Sequence, residues 1–592
     1  MSLQQIEWSQ LTSSEGAELR RSVFDVIGQA SRAIQTSETD DPEVLEVIPR
    51  LLELMELKAS ELDGFQEVIS ALARAVGLWN YIDPDHSDSS DALVAETVTS
   101  PLLDGLTLHR EQVEALNKLL AGKNLILSAP TSFGKSLLVD ALLATGRYER
   151  VAIVLPTIAL MDEFRRRLTS RFKARYNIVM HPSEQASKYP TVFLGTQERL
   201  IARDDLGNLD LTVVDEFYKL DPRRQDDRSV TLNAAVYKLL NRSRQFFFLG
   251  PNIDSIRLSN DSRWSFEFLH TRFMTVAVDT LDLREETNKR DRLIDELSEG
   301  SNWPALVFVS SPDKANQLAI DVSAAMALSE DSAEFADWLA HNVGERNFLS
   351  EAVEMGVGIH HGRVPRAIAA RMIQLFNYET LPVLLCTSTL IEGVNTRAKT
   401  VMIYDKSINN RDYDFFTFSN IRGRAGRLGQ HHVGKVLLFN DVPDREELEI
   451  APTIFGDEDQ YPDEYIVHLD ERERPSRSRE RYVVLSEALQ LDPEDMRTAS
   501  SIGLEKAVQL RKALHAAFDA GVRLGWRGVP RYNEILAVNS VICEVQSVNS
   551  FGARSPKQLT YFLDQLRRAE TLRAFLIGMD ESFKGRPHEA DW

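Results

Sequence analysis

The sequence predicts an α/β protein with two tandem parallel-sheet domains, flanked by helical segments at its N- and C-terminal ends. Three observations carry this reading. From Leu125 onward, short apolar runs alternate with amphipathic stretches, the pattern of strands covered by helices. The runs fall into two consecutive blocks of similar size, and they are absent before about residue 100 and after about residue 445. The length of 592 residues leaves room for roughly four units of about 150 residues each.

Taken in order, residues 1–100 read as helical. Leu51, Leu52, Leu54, Met55 and Leu57 form a dense apolar face, and Leu62, Phe65, Ile69, Leu72 and Val76 recur at steps of three and four. Pro49 suits a first helical turn and would break a helix interior, so a helix is expected to start there. Asp83 to Asp91 reads as a polar linker. The first domain, 101–275, offers strands at Leu125–Ala129, Val151–Leu155, Thr191–Gly195, Leu211–Asp215 and Phe246–Gly250. The second, 276–445, offers Ala305–Ser310, Val357–His361, Val383–Thr387, Thr400–Tyr404 and Lys435–Phe439. Residues 446–592 read as a mainly helical C-terminal domain. Its last helix is capped by Ser555, with Pro556 in the first turn and a stripe of Leu559, Phe562, Leu563, Leu566 and Leu572.

Composition bounds the function. Apolar residues at 43% and charged residues at 27% fit a globular chain with a large core. A net charge of −21 argues against a uniformly basic protein that coats a polyanion, but a narrow basic groove within an acidic surface remains compatible with it. Cys386 and Cys543 are the only cysteines, which excludes a disulfide framework or a cysteine-rich zinc site and suits a reducing cytoplasm. No run approaches the ~20 apolar residues of a membrane span.

The phosphate chemistry is concentrated after the first strand. Ala129-Pro130-Thr131-Ser132-Phe133-Gly134-Lys135-Ser136 leaves a strand and opens a helix. Backbone N–H groups of such a loop (Thr131, Ser132, Gly134) face phosphates, Lys135 reaches the β and γ oxygens, and Ser136 coordinates Mg²⁺. Ala129 stands where the usual pattern has a glycine. Downstream, Asp215 ends an apolar strand, where it can hold Mg²⁺, and the adjacent Glu216 can orient or deprotonate an attacking water. In the second block, Asn420-Ile421-Arg422-Gly423-Arg424-Ala425-Gly426-Arg427 spaces Arg424 and Arg427 by small residues, so both can reach across a cleft toward a triphosphate. Taken singly, each motif competes with an ordinary polar turn.

With these motifs in order, the sequence resembles the DExH-box helicases of superfamily two, most closely the superkiller-like branch, over about residues 100–440. The resemblance implies two RecA-like domains that bind ATP and Mg²⁺ between them and move along single-stranded or partly duplex DNA or RNA. Gln112 matches the family's adenine-reading glutamine. Pro156 with Thr157, Gly195 with Thr196, His361 with Arg363, and Thr387 with Ser388 match its strand-contacting segments, and Gly393 and Asn395 match its coupling segment beside the nucleotide. Three positions depart from the family: Asn420 replaces a glutamine, Tyr218 replaces the histidine of Asp-Glu-x-His, and Gly250-Pro251-Asn252 replaces Ser-Ala-Thr. The last two lie where hydrolysis is coupled to strand movement, which keeps open a second reading, a nucleotide-gated clamp that hydrolyses ATP without unwinding. The run Leu385–Thr396 and the short C-terminal part are also similar to helicases of bacterial phage-defence systems of the Hachiman type, which implies a nuclease partner.

Two further features lie outside the motifs. His360-His361 and His431-His432 lack zinc spacing, so strand contact is expected for the first pair and a solvated turn for the second. Arg472, Arg474, Arg477, Arg479 and Arg481 alternate with Glu471, Glu473 and Glu480, which suits a strand path and a solvated linker equally.

Overall fold

The computed structural model describes residues 3, 6–36, 42–186, 190–224, 228–259, 262–344, 347–391, 396, 398–408, 411–426, 431–457, 459 and 461–584. Two parallel sheets organise the middle of the chain. The first comprises β1 (Leu125–Ser128), β2 (Arg150–Val154), β3 (Asn177–Val179), β4 (Thr191–Gly195), β5 (Leu209–Val214), β6 (Ser243–Gly250) and β7 (Glu267–His270), in the spatial order β7-β1-β6-β5-β2-β4-β3. The second comprises β8 (Ala277–Asp282), β9 (Ala305–Phe308), β10 (Val357–His360), β11 (Val383–Cys386), β12 (Thr400–Ile403) and β13 (Val433–Leu438), in the order β8-β13-β12-β9-β11-β10. All ten strands read from the sequence are present. The expected α/β class with tandem sheets and helical flanks is the fold.

Both faces of the first sheet are covered, as a parallel sheet requires. Alternate residues face opposite ways: Val213 joins the core under helices Lys135–Thr145 and Ile158–Phe172, and Val214 joins the core under helix Ser229–Leu240. The second core gains a contribution from far along the chain. After β13 the chain returns to lobe one, pairs Glu449–Ile450 with Ser255–Ile256, and buries Ile450, Ile454, Phe455, Tyr465 and Leu469 against that sheet. Asn233 Oδ1 accepts from Ile454 N at 2.9 Å and fixes this return.

Several local expectations need correction. Helix Pro42–Leu57 starts at Pro42 and carries Pro49 in its interior. The hydrogen bond that Pro49 cannot donate is outweighed by burial of Val44, Leu45, Val47, Ile48, Leu51 and Leu54 on one face. The stretch 83–91 is ordered rather than a linker. Asp83 caps the turn Pro84–His86, and Asp88 caps helix Ser89–Val98 by accepting from Ser90 and Asp91 N–H groups. Ser555 does cap a helix with Pro556 at its start, but that helix ends at Arg568, and Leu572 opens another, Leu572–Phe583. Among the described residues no helix is long and apolar enough to cross a membrane.

Candidate nucleotide cleft and strand path

The phosphate loop lies at the C-terminal end of β1, where ligands bind in sheets of this kind. Gly134 ends it at φ +78°, a conformation that favours glycine, and a Cβ there would stand 2.7 Å from Gln112 Nε2. Three bonds hold the loop from below. Gln112 Nε2 donates to Phe133 O at 2.8 Å, His109 Nε2 lies 3.1 Å from the same oxygen, and Thr275 Oγ1 donates to Ser132 O at 3.0 Å. Gln112 lines the cleft with both atoms of its amide engaged, because its Oε1 also accepts from His109 N at 3.1 Å.

His109 is a contributor that the motif reading did not single out. Its Nδ1 accepts from Gln112 N, which requires the proton on Nε2 and directs that proton to Phe133 O. Its ring stacks on Phe273 at 4.8 Å and meets Phe133 edge-on at 4.6 Å. Burial draws its pKa down to about 3, so it is a neutral structural link between the loop and residue 273.

A cleft of about 350 Å³ opens above the loop, lined on one wall by Gln112, Thr131, Ser132, Gly134, Lys135, Ser136, Asp215 and Glu216, and on the other by Thr396, Gly423, Arg424 and Gly426. Lobe two is joined to the loop directly, because Thr131 Oγ1 donates to Gly423 O at 2.6 Å. Lys135 Nζ donates to Ala129 O at 2.8 Å and Pro130 O at 2.9 Å. Burial lowers its pKa, and Glu216 and Asp215 oppose that shift. Burial raises the Asp215 pKa, and the neighbouring Glu216 adds to it. Arg424 is lowered by burial and stabilised by Glu216 and Glu163. Lysine, arginine and the two acids thus sense one another across the lobe boundary.

Glu216 itself is strained. It has φ +53°, outside the usual range for a residue with a side chain, and its N–H donates to Asp215 Oδ1 at 2.9 Å. The next residue, Phe217, lies so close to Gly250 that a Cβ there would stand 2.6 Å from its ring. This explains the glycine in Gly250-Pro251-Asn252. Tyr218 packs on Phe416 of lobe two, with centroids 4.7 Å apart.

A buried triad also escaped the motif reading. Asp140 accepts from Arg171 Nη1 at 2.6 Å and pairs with Arg167 Nε at 3.0 Å, and all three line the cleft. Arg171 also pairs with Asp104 at 3.3 Å, so the group is a charge-compensated network at the cleft wall.

Ser136 and Asp215 both face the cleft. A carboxylate whose charge is disfavoured by burial and by a second acid suits a divalent cation, so these residues fit Mg²⁺. Arg427, Gly393 and Asn395 lie outside the described residues.

The expected strand contacts all fall at C-terminal strand ends. Pro156 and Thr157 follow β2, Gly195 and Thr196 end β4, His361 and Arg363 follow β10, and Thr387 and Ser388 follow β11. In each sheet the two strands are neighbours. Access differs among them. Thr157 caps helix Ile158–Phe172 and is half-buried, as is Ser388, and Arg363 is exposed beside Asp313. Pro156, Gly195, Thr196, His361 and Thr387 are buried, with His361 Nε2 2.8 Å from Asn316 Oδ1.

The remaining expectations divide. Cys386 is buried in the lobe-two core. His432 is not on a solvated turn, because its Nε2 pairs with Glu56 at 3.0 Å and its ring lies 5.4 Å from Tyr81. The arginine run leads into helix Ser476–Leu489 and carries exposed ion pairs. Arg477 pairs with Asp459, Arg481 with Asp463, and Arg474 lies over the Tyr482 ring.

These two lobes, with the cleft between them, have the arrangement of a two-domain helicase core. Residues 109–249 match the DEAD/DEAH box helicase model, and residues 288–429 match the helicase conserved C-terminal domain. Among similar proteins, Anti-bacteriophage protein B of Escherichia coli is 37% identical over 66% of this chain and 56% of its own length. ATP-dependent DNA helicase Hel308 of Pyrococcus horikoshii is 24% identical over 56% of this chain and 50% of its own length. Helicase POLQ-like of Homo sapiens is 22% identical over 56% of this chain and 35% of its own length. The chain thus spans about half the length of the first two relatives.

Proposed function

We propose that this chain is an ATP-driven translocase or helicase that grips single-stranded or partly duplex DNA in defence against bacteriophage. The observation that carries the reading is the meeting of Lys135, Asp215 and Glu216 with Arg424 from the opposite lobe in one cleft. The DNA and anti-phage elements are supported by the names of the relatives, and a nuclease partner by the resemblance to phage-defence helicases. A cytoplasmic location goes with this reading.

In this reading ATP enters the cleft and Lys135 leaves the loop carbonyls for the β and γ oxygens. A magnesium ion held by Ser136 and Asp215 would neutralise charge between those oxygens. Glu216 orients the attacking water, and Arg424 stabilises charge that develops on the transferred group. Closure is the change to which the γ-phosphate contributes, and release of products reopens the cleft. Thr157, Arg363 and Ser388 hold strand phosphates without reading bases.

The test is turnover. Strand-stimulated ATP hydrolysis with displacement of a duplex supports the motor, and stimulated hydrolysis without displacement supports a nucleotide-gated clamp. Lys135→Ala should abolish turnover; full activity in that variant would refute the site assignment. Stimulation by DNA compared with RNA of one sequence decides the strand.

A further inference from the structure

The C-terminal helices carry the opposite charge balance to the rest of the chain. Residues 504–584 hold twelve Lys and Arg against eight Asp and Glu, within a protein of net charge −21. The excess is focused on one loop. Between helix Leu504–Asp519 and helix Tyr532–Val545, the sequence Ala520-Gly521-Val522-Arg523-Leu524-Gly525-Trp526-Arg527-Gly528-Val529-Pro530-Arg531 contains three arginines, one tryptophan and no acid. Gly521 and Gly528 adopt φ of +73° and +74°, so the backbone turns there in a way that favours glycine.

The loop is presented to solvent. Trp526 is 41% exposed, and Arg523 and Arg527 are exposed. Among the described residues neither arginine has an ion pair or hydrogen bond, and no aromatic ring lies against Trp526. Several other arginines are engaged by acids: Arg167 and Arg171 meet Asp140, Arg477 meets Asp459, and Arg481 meets Asp463. An exposed indole flanked by two solvated guanidinium groups is complementary to a ligand with a flat apolar face and negative charge.

The helical segment that contains this loop touches both lobes. At one end Leu504 and Ala507 share a cluster with Val467, Leu489 and Met496, beside the segment that completes lobe one. At the other end Arg573 Nη1 donates to His341 O of lobe two at 2.6 Å. The loop is therefore carried on a bridge between the two lobes.

We propose that residues 520–531 form a strand-binding site separate from the two sheets, in which Trp526 stacks on a nucleobase and Arg523 and Arg527 meet the flanking phosphates. The ligand is single-stranded nucleic acid, and the inference rests on the nucleic-acid motor reading above. Aromatic stacking tolerates every base, so the site adds grip without sequence preference. The arginines make that grip sensitive to salt. An acidic protein surface would satisfy the arginines but offers Trp526 no regular stack of bases.

The test uses the full chain and a fluorescently labelled oligothymidylate, read by anisotropy without nucleotide, beside an abasic phosphodiester strand of equal length. Trp526→Ala should weaken oligothymidylate binding roughly 5- to 150-fold, and it should leave the abasic strand unaffected. Trp526→Phe should recover most of the loss. Arg523→Gln with Arg527→Gln should lower the slope of log affinity against log salt by about 1.4. Strand-free ATP hydrolysis and the melting temperature should stay unchanged in each variant. Equal affinities and equal salt slopes in wild type and variants overturn the proposal, as does a lowered melting temperature in all of them, which makes the loop structural. A wild type that binds neither strand sinks the motor reading instead.

Discussion

Phe416→Ala tests whether the lobes close through the contact seen here. Phe416 opens helix Phe415–Arg422, which runs straight into Arg424. Its ring lies 4.7 Å from Tyr218 and 4.6 Å from the Arg224 guanidinium, both on lobe one. Arg224 also pairs at 2.6 Å with Asp414, the residue that caps the same helix. An aromatic pair contributes about 0.5–1.5 kcal/mol, and a partly exposed cation–π contact about 0.5–1 kcal/mol. Loss of both shifts the closed-to-open ratio by roughly 5- to 70-fold. Arg424 reaches the triphosphate only when the lobes are closed, so kcat/KM for ATP at saturating strand should fall by a similar factor. A cycle with Tyr218→Ala isolates the ring pair, and the double variant should lose less than the sum of the two single losses. Unchanged kcat/KM in Phe416→Ala, or strictly additive losses in the cycle, would refute a closure role for this contact.

Three other outcomes follow from the same geometry. Glu216→Gln should bind ATP yet hydrolyse it about 10²- to 10⁴-fold more slowly, seen as retained nucleotide in equilibrium binding with loss of phosphate release; near-normal release removes Glu216 from the water-orienting role. Gly250→Ala pushes Phe217, the neighbour of Glu216, and should destabilise lobe one by about 1–3 kcal/mol while slowing hydrolysis. An unchanged melting curve and rate would show that Phe217 yields freely. His109 is held at a pKa of about 3, well below its ordinary 6.5, by burial. Unfolded chain takes up a proton there below pH 6.5 that folded chain refuses, so stability is full above that pH and falls toward pH 3. The loss reaches about 2 kcal/mol at pH 5, and His109→Gln should show a correspondingly smaller drop in urea midpoint between pH 7.5 and pH 5. Equal drops would count against the neutral, buried assignment.

The strands that the sequence concealed share one property. β3, β7 and β8 are all edge strands, and their residues are less completely buried than those of the central strands. Glu267, Asp279 and Asp282 interrupt two of them, so no apolar run marks the strand. β10 is also an edge strand, yet all four of its residues are buried, and its apolar pattern was legible. The site divides in the same way. The phosphate loop, Asp215-Glu216 and Arg424 are legible because each lies in a contiguous motif fixed by backbone geometry. Asp140, Arg167 and Arg171 come together from two helices, and the His109–Phe273 stack joins residues far apart in the chain. Neither arrangement has a local signature. Pro49 misled because local propensity was outweighed by tertiary burial of the helix around it.

The chain crosses between lobes twice, at residues 271–276 between β7 and β8, and at 439–448 between β13 and the strand Glu449–Ile450. Two crossings restrict the motion of lobe two mainly to rotation about the line that joins them. The N-terminal helices hold the first crossing. Tyr81 donates to Thr275 O at 2.6 Å, Phe273 is buried in their core, and Arg50 donates to Val278 O at 3.3 Å on the edge strand of lobe two. They also hold the entry to lobe one, where Arg110 N donates to Gly77 O at 2.9 Å. The Tyr218–Phe416 and Arg224–Asp414 contacts also join the lobes and must be broken for them to part, and Phe416 shares a pocket with Met274 and Val276 of the first crossing and Leu448 of the second. The N-terminal segment thus touches both lobes at the first crossing. Through Phe273 and His109 it is also coupled to Phe133 O, so any partner that displaced those helices would disturb the phosphate loop and with it one wall of the cleft.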